Sequence, residues 1–194
     1  LYVSYCPGDL GNSIGAALYI AHCVLDEERT SSFNHNSYIG PEFSDHEILE
    51  SLHRRGIPHQ LQPDISDTVA KLLSEGNVVA VCNGAMEFGE RALGNRSILA
   101  DPRKAEMKDR INSMIKYRES YRPFAPATLV ETAEKFFDVD ASYRSPYMEK
   151  VCQVREEYQR VIPAITHVDG SARLQTVCES ENPAFYQIIK KFGQ

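Results

Sequence analysis

The sequence predicts an α/β protein with a mixed sheet, and three observations indicate it. The continuous apolar run 78–82 has the length and the β-branched content of a strand that is covered on both faces. Segments with helical capping signals alternate with strand-like runs along the chain. The pair Asp169-Gly170 separates two strand-like segments, 161–168 and 172–178, which is typical of a tight antiparallel hairpin.

Local signals set the expected order of the other elements. Ser44 and Glu47 have capping-box spacing, so a helix is expected to begin there and to end at Gly56. Asp101-Pro102 is expected to cap a helix with the apolar stripe Met107, Ile111, Met114 and Ile115. The remaining expected elements are a strand at 1–5 ended by Pro7-Gly8, a helix from there to about 25, a helix at 67–75 ended by Gly76, a strand at 124–130, a helix at 131–137, and a last helix opened by Asn182-Pro183 and closed by Gly193.

Composition and charge narrow the class of protein. The chain has 194 residues, enough for one domain or one domain with part of a second, and no apolar run approaches the roughly 18 residues that a membrane span needs. A net charge of −6 disfavours wholesale binding to nucleic acid or to an anionic membrane. Five cysteines without a Cys-x-x-Cys pair argue against a disulfide framework or a zinc site, and favour a reducing, cytoplasmic location. With Leu at position 1 and no signal peptide, the chain is interpreted as a piece of a longer protein.

The charge balance reverses in one segment. Residues 87–122 contain nine basic and six acidic side chains, a net +3, which leaves −9 for the rest of the chain. A basic segment on an acidic body suits a compact polyanion held in a pocket better than a long nucleic-acid backbone. An RNA-binding module that uses the same basic groove is nevertheless kept as an alternative hypothesis.

Two clusters within this segment carry the candidate anion ligands. Gly84, Gly89 and Gly94 would let backbone N–H groups approach an anion, and Arg91 and Arg96 offer forked donors that match phosphate. A glycine-rich surface loop with solvated arginines is the alternative. In the second cluster, an extended chain before Pro123 would place Lys116, Arg118 and Arg122 on one face, and the alternative is a charged turn paired with Glu119.

The Asp169-Gly170 turn carries a third candidate set. It brings His167 and Arg173 near one another, and His167 is either an acid–base group or a surface histidine. The other five histidines show no metal spacing. The polar segment 26–36 has no periodicity and is interpreted as a linker at a domain boundary.

Three ordered motifs carry a family resemblance that spans nearly the whole chain. They are MEFGERALGNRSILADPR at 86–103, KYRE and RPFAP at 116–119 and 122–126, and ITHVDGSARLQ at 165–175. Together with Gly8-Asp9 and the GAAL run at 15–18, they resemble the NodU-type O-carbamoyltransferases, which include antibiotic-modifying enzymes. Threonylcarbamoyl-adenylate synthases of the wider YrdC group are the enzymatic alternative.

The resemblance implies a domain organisation and a reaction. Residues 1–36 would be the tail of an actin/sugar-kinase-like domain plus a linker. Residues 37–194 would be a YrdC-like domain with an open twisted mixed sheet and flanking helices, truncated at its end. This part would bind carbamoyl phosphate and ATP with Mg²⁺ and form carbamoyl adenylate. A missing domain, which would contain iron, would then pass the carbamoyl group to an acceptor hydroxyl. No metal site is expected in this part. The apolar side of the first helix is expected to pack on the rest of the chain or on a second copy, as a homodimer.

The resemblance also implies roles for individual residues. Arg91, Lys116 and His167 would be catalytic, and Arg91, Lys116, Arg122 and Arg173 would hold carbamoyl phosphate and the nucleotide phosphates. The residues expected to support that pocket are Asn95, Arg96, Ser97 and Arg118. Glu90 stands where the family usually has proline, which places a carboxylate next to Arg91.

Overall fold

The computed structural model describes residues 3–29, 36–117, 119 and 121–194. Within these residues helices and strands alternate, which confirms the α/β prediction. The α-helices are α1 (Asp9–Tyr19), α2 (Asp45–Arg54), α3 (Ile65–Ser74), α4 (Glu106–Ile111), α5 (Ala133–Phe136), α6 (Glu156–Gln159) and α7 (Pro183–Phe192). The strands are β1 (Val79–Cys82), β2 (Arg96–Leu99), β3 (Ala127–Leu129), β4 (Cys152–Gln153), β5 (Ser171–Ala172) and β6 (Gln175–Val177). π-helical turns at Ile20–Val24 and Asn112–Lys116 extend α1 and α4, and a 3₁₀ turn at Val130–Thr132 precedes α5.

The helix ends follow the capping signals. The Ser44 hydroxyl accepts from the Glu47 N–H at 3.3 Å and the Ser44 N–H donates to the Glu47 carboxylate at 2.8 Å, so the capping box of α2 is confirmed. The Asn182 side chain accepts from the Phe185 N–H at 3.1 Å and begins α7, as predicted. Helix α3 begins two residues earlier than expected because Asp64 caps it.

The strands pair in three separate two-stranded ladders. β1 and β2 are antiparallel, β3 and β6 are parallel, and β4 and β5 are antiparallel. Both kinds of pairing occur, as the prediction of a mixed sheet requires, but the described strands form no single open sheet. The expectation that the run 78–82 is covered on both faces is wrong, because Ala80 and Cys82 are exposed and alternate with partly buried valines.

The predicted hairpin around Asp169-Gly170 is wrong in its pairing. A tight turn does form, closed by the Gly170 N–H on the His167 carbonyl at 3.0 Å. However, residues 161–168 are not a strand, and β5 pairs instead with β4, as Cys152 with Ala172 and Gln153 with Ser171. This long-range ladder joins a core of Phe137, Val154, Ile165, Ala172 and Leu174, and that burial outweighs a local hairpin.

The helix expected from Asp101-Pro102 begins later, at Glu106. The buried Asp101 carboxylate accepts from the Arg103 N–H and guanidinium at 2.7–3.0 Å, so it holds a turn instead of capping a helix. The apolar stripe is also broken. Met107 and Ile111 are buried, whereas the π turn that follows changes the helical register and leaves Met114 and Ile115 exposed.

The first helix differs most from its expected packing. None of the residues of α1 or of its π turn is buried, so of the two expected alternatives the apolar side of α1 is not buried against the described part of the chain. The homodimer stays a prediction. No strand forms at the described residues 3–5, and Leu1 and Tyr2 lie outside the described residues. In the part of the chain that the structure describes, no helix combines the length and the apolar character needed to cross a bilayer.

The parallel pair β3–β6 positions two of the predicted site residues. Ala127 pairs with Gln175, and the Gln175 N–H donates to the Pro126 carbonyl at 2.9 Å. Arg122 and Arg173 lie a few residues before these two strands, so parallel pairing delivers both to the same end of the ladder. Leu129 of β3 and Val177 of β6 pack against Phe185 and Tyr186 of α7, so this helix covers one face of the strand pair.

Candidate functional site

A cavity of about 370 Å³ brings together basic side chains from three separate stretches of sequence. Its volume lies in the range of small-ligand pockets. The lining residues are Arg91, Arg122, Pro123, Phe124, Ala125, Val151, His167 and Arg173. Three arginines and a histidine thus line one cavity, a composition that suits an anion.

Arg91 lies on a loop that a single carboxylate organises. Glu87 Oε1 accepts from the backbone N–H groups of Leu93 at 2.7 Å, Asn95 at 2.8 Å and Arg96 at 3.3 Å. Bonds to a charged acceptor are among the stronger hydrogen bonds in proteins. Glu87 was not among the sequence-predicted residues. The signal that points to it is a lone carboxylate between glycines, in a loop whose N–H groups need acceptors.

The glycines of this loop make room for neighbouring residues. Gly94 has φ +115°, and a Cβ there would overlap the Phe185 ring of α7. Gly89 has φ +135°, and a Cβ there would come within 2.8 Å of the Tyr5 carbonyl oxygen. Neither glycine lines the cavity. The glycine pattern therefore serves loop packing, and the loop in turn carries Arg91.

The predicted supporting residues Asn95, Arg96 and Ser97 face the loop instead of the cavity. The Arg96 guanidinium donates to three backbone carbonyls, those of Asn83, Gly84 and Asn95, at 2.8–3.1 Å. The Ser97 hydroxyl accepts from the Gly94 N–H at 2.9 Å. Buried Asn95 donates to the Ala85 carbonyl at 2.7 Å and accepts from Asn182 at 2.9 Å. These contacts give the three residues a structural role, while ligand binding by them stays a prediction.

A second wall comes from the segment after α4. Buried Asn112 donates to the Arg122 carbonyl at 3.4 Å and ties this segment to the helix. Lys116 ends the π turn, is exposed, and is not among the residues that line the cavity. Arg118 lies outside the described residues. The structure therefore brings Arg122 to the cavity without Lys116, whose predicted role stays untested.

The third wall is the turn that leads into β5. His167 donates its backbone N–H to the Ser171 carbonyl at 2.8 Å, and its Nδ1 lies 3.0 Å from the Ser171 hydroxyl. That hydroxyl donates to the Asp169 carboxylate at 2.7 Å, and this bond lowers the pKa of Asp169. Arg173 follows between the fully buried Ala172 and Leu174. Histidine and arginine thus meet at the cavity even though the predicted hairpin does not form.

Two carboxylates stand beside the cavity arginines. Arg91 lies 3.9 Å from Glu90, and Arg122 lies 3.5 Å from Glu119. In both pairs the side chains are about half exposed. Exposed ion pairs contribute only ~0.2–1 kcal/mol, so an anion bidentate to the arginines can replace them.

Tyr38 and Gln175 fix the loop from the core side. Tyr38 donates its hydroxyl to the Leu93 carbonyl at 2.9 Å, and burial raises the pKa of Tyr38 to about 12. Buried Gln175, at the start of β6, donates to the same carbonyl at 3.0 Å. This bond links the Arg91 loop directly to the strand that follows Arg173. Tyr38 lies outside the three motifs and Gln175 ends the third, and neither has a predicted role, because their partners are distant in the chain.

The described residues contain no group of three or more His, Cys, Asp and Glu side chains that could hold a metal ion.

Comparison with known proteins assigns the chain to a family. The profile described as "Carbamoyltransferase C-terminus" matches residues 70–194, which include all three walls of the cavity. The chain belongs to this family. The predicted membership among the NodU-type O-carbamoyltransferases is thereby confirmed.

Whole-chain relatives agree with this family. The nodulation protein NolO of Bradyrhizobium diazoefficiens is 43% identical over 99% of this chain and 36% of its own length. The 3'-hydroxymethylcephem-O-carbamoyltransferase of Streptomyces clavuligerus is 34% identical over 100% of this chain and 35% of its own length. The nodulation protein U of Rhizobium fredii is 33% identical over 99% of this chain and 31% of its own length. The chain thus spans about a third of the relatives that it matches.

Proposed function

We propose that this chain is the activating part of an O-carbamoyltransferase, which binds carbamoyl phosphate and ATP and forms carbamoyl adenylate. The observation that supports it is the shared cavity of Arg91, Arg122, Arg173 and His167 in a member of the carbamoyltransferase family. The relatives named as cephem O-carbamoyltransferases favour this function over the threonylcarbamoyl-adenylate synthase hypothesis.

The chemistry demands several fixed cations. Carbamoyl phosphate is cleaved by water to carbamate and phosphate, and the carbamate oxygen then attacks the α-phosphorus of ATP, which releases pyrophosphate. Negative charge accumulates in both steps, and preorganised guanidinium groups stabilise it without reorganisation. Arg91, Arg122 and Arg173 supply this charge from three separate backbone segments that the fold brings to one cavity.

The remaining parts of the proposal concern the rest of the reaction. Residues 1–36 belong to a preceding actin/sugar-kinase-like domain and residues 37–194 form a YrdC-like domain. Mg²⁺ arrives with the nucleotide and is held mainly by its phosphate oxygens. The carbamoyl group then passes to an acceptor hydroxyl in the other domain, whose metal is iron.

Calorimetric titration with carbamoyl phosphate tests the cavity. Arg122→Ala and Arg173→Ala are each expected to weaken binding roughly 10- to 150-fold, since a charged hydrogen bond contributes about 1.5–3 kcal/mol. Arg144→Ala is the matched control, because that exposed guanidinium donates to the carbonyls of Ala141 and Tyr143 outside the cavity.

The activation step has its own measurement. With carbamoyl phosphate present, the chain is expected to exchange labelled pyrophosphate into ATP, and without carbamoyl phosphate it is not. Unchanged affinity in both arginine variants, or exchange that does not need carbamoyl phosphate, would contradict the proposal.

A further inference from the structure

Three side chains form a hydrogen-bonded series at the edge of the cavity. The Asp169 carboxylate accepts from the Ser171 hydroxyl at 2.7 Å and from the Ser171 N–H at 3.0 Å. The Ser171 hydroxyl oxygen lies 3.0 Å from Nδ1 of His167. His167 in turn lines the cavity with Arg91, Arg122 and Arg173. The series therefore runs from an exposed carboxylate to an imidazole beside the anion site.

The direction of these bonds sets the position of the imidazole proton. An ionised carboxylate only accepts, so the single hydroxyl proton of Ser171 is donated to Asp169. The Ser171 oxygen is then left to accept, and the proton between it and His167 must lie on Nδ1. A neutral imidazole that is protonated at Nδ1 carries its lone pair on Nε2.

The turn that holds the series is fixed on both sides. Ser171 is buried and belongs to β5, and the Gly170 carbonyl accepts from the Val154 N–H at 2.9 Å. A Cβ at Gly170 would come within 2.8 Å of the Gln159 side-chain nitrogen, so the turn is closely covered. The imidazole is thus held by its backbone and by Nδ1, and only its opposite edge remains to face the cavity.

The chain contains the same turn without a histidine. Asp140 accepts from the N–H and the hydroxyl of Ser142, with one residue between them, just as Asp169 does from Ser171. The exposed turn of Asp140 and Ser142 consists of these two bonds. In the turn of Asp169 and Ser171, the Ser171 hydroxyl oxygen also contacts the imidazole of His167. A turn needs the first two bonds only, so the contact to His167 is a feature beyond turn formation.

We propose that Asp169 and Ser171 are positioning residues that hold His167 in the Nδ1-protonated tautomer and present the Nε2 lone pair to the cavity as a proton acceptor. The use of that lone pair rests on the proposed function. As a water oxygen bonds to the carbamoyl carbon, Nε2 takes a proton from the water. As the C–O bond to phosphate breaks, Nε2 returns that proton to the leaving phosphate oxygen. Carbamic acid and hydrogen phosphate form, and His167 ends neutral.

The tautomer is measured on the whole chain, labelled with ¹⁵N-histidine, by long-range ¹H–¹⁵N correlation. His167→Gln identifies the His167 signals among the six histidines. We expect the chemical shift of a protonated nitrogen at Nδ1 and of an unprotonated one at Nε2. In Asp169→Ala the Ser171 hydroxyl is free to donate to Nδ1, so the proton is expected on Nε2. Ser171→Ala is also expected to move the proton to Nε2. Ser171→Thr keeps the hydroxyl and is expected to give the same chemical shifts as the parent chain.

Asp140→Ala and Ser142→Ala are the matched controls, and both are expected to leave the His167 signals unchanged. Protonation at Nε2 in the parent chain, or no change in Asp169→Ala and Ser171→Ala, would overturn the positioning role. Because Asp169 is exposed, its variant keeps the test decisive even if Ser171→Ala does not fold.

Kinetics separate this inference from the proposed function. In hydrolysis of carbamoyl phosphate, Asp169→Ala is expected to lower kcat at least tenfold with KM nearly unchanged, since a general base contributes roughly 10²–10⁴-fold. An unchanged kcat with a shifted tautomer would overturn the role of Nε2. If the parent chain neither binds nor cleaves carbamoyl phosphate, the proposed function fails. The ¹H–¹⁵N spectra then still test whether Asp169 and Ser171 hold His167 in the Nδ1-protonated tautomer.

Discussion

The Glu90 carboxylate lies 3.9 Å from the guanidinium of Arg91, one of the three arginines that line the cavity. A Cβ on Gly8 would overlap the same carboxylate, so Glu90 is held between the start of α1 and Arg91. It is therefore placed to compete with an anion for one of the three arginines.

Removing this carboxylate charge is expected to tighten anion binding. Glu90→Gln keeps the size of the side chain and releases an exposed ion pair of ~0.2–1 kcal/mol, so the Kd for carbamoyl phosphate is expected to fall up to about fivefold. Calorimetry checks it, with Glu134→Gln as the control outside the cavity. A weaker affinity in Glu90→Gln would mean that Glu90 supports Arg91 instead of competing with the ligand.

Lys116 and Arg173 are expected to differ in their contribution to binding. Both are predicted phosphate ligands, but Arg173 lines the cavity and exposed Lys116 does not. Lys116→Ala is therefore expected to weaken carbamoyl phosphate binding less than Arg173→Ala in the same titration. Equal losses in the two variants would show that the end of the π turn moves to the cavity when ligand binds.

Glu87 is expected to contribute more to stability than an ordinary surface glutamate. Glu87→Ala would leave three partly buried N–H groups without their acceptor, and each such group costs ~1–3 kcal/mol. We expect a loss of at least ~2 kcal/mol in the free energy of unfolding by urea. Glu50→Ala, on the exposed face of α2, is the control. A loss no larger than that of the control would show that the loop does not depend on Glu87.

The two glycines Gly94 and Gly15 are expected to respond oppositely to alanine. A Cβ at Gly94 meets the Phe185 ring at a φ of +115°, so Gly94→Ala is expected to cost more than about 2 kcal/mol. Gly15 lies within α1 with open space around it, and Gly15→Ala is expected to increase helicity. Urea unfolding and circular dichroism measure both, and a neutral Gly94→Ala would contradict the packing of α7 on this loop.

Asp101 is expected to give the fold part of its resistance to acid. Burial of the carboxyl favours its neutral form, but the hydrogen bonds and the charge of Arg103 outweigh this effect and lower the pKa of Asp101. A lowered pKa in the folded chain means stability that is present above the unfolded pKa of about 3.9 and is lost as the pH falls through the folded pKa. Asp101→Asn is therefore expected to destabilise the chain at pH 7, and the difference from the parent should shrink below about pH 4. A difference that is constant with pH would exclude this linkage.

Local signals in the sequence predicted local structure well. The capping residues Ser44 and Asn182 set the starts of α2 and α7, because a cap and its helix are neighbours in the chain. Strand pairing was predicted less well, since the partner of β5 is β4 and not the adjacent segment. Which strands pair is decided by burial in the common core, and that quantity has no short-range signature.

The candidate site shows the same division. The residue types and the motifs brought Arg91, Arg122, His167 and Arg173 into consideration, and these four meet in the cavity. The motif did not distinguish Arg91 from Arg96, because two arginines on one loop have the same chemistry. Only the folded loop shows that Arg96 binds backbone carbonyls and that Arg91 faces the cavity.

The parallel pair β3–β6 couples ligand affinity to folding. Arg122 and Arg173 meet only when strands almost fifty positions apart are side by side, so neither a nascent chain nor a partly unfolded one presents both arginines in one cavity. A ligand held by both arginines therefore binds the native state alone and stabilises it by RT ln(1 + [L]/Kd), about 2.7 kcal/mol at a hundredfold excess over Kd. The abundance of such a ligand would then help to set the lifetime of the folded protein.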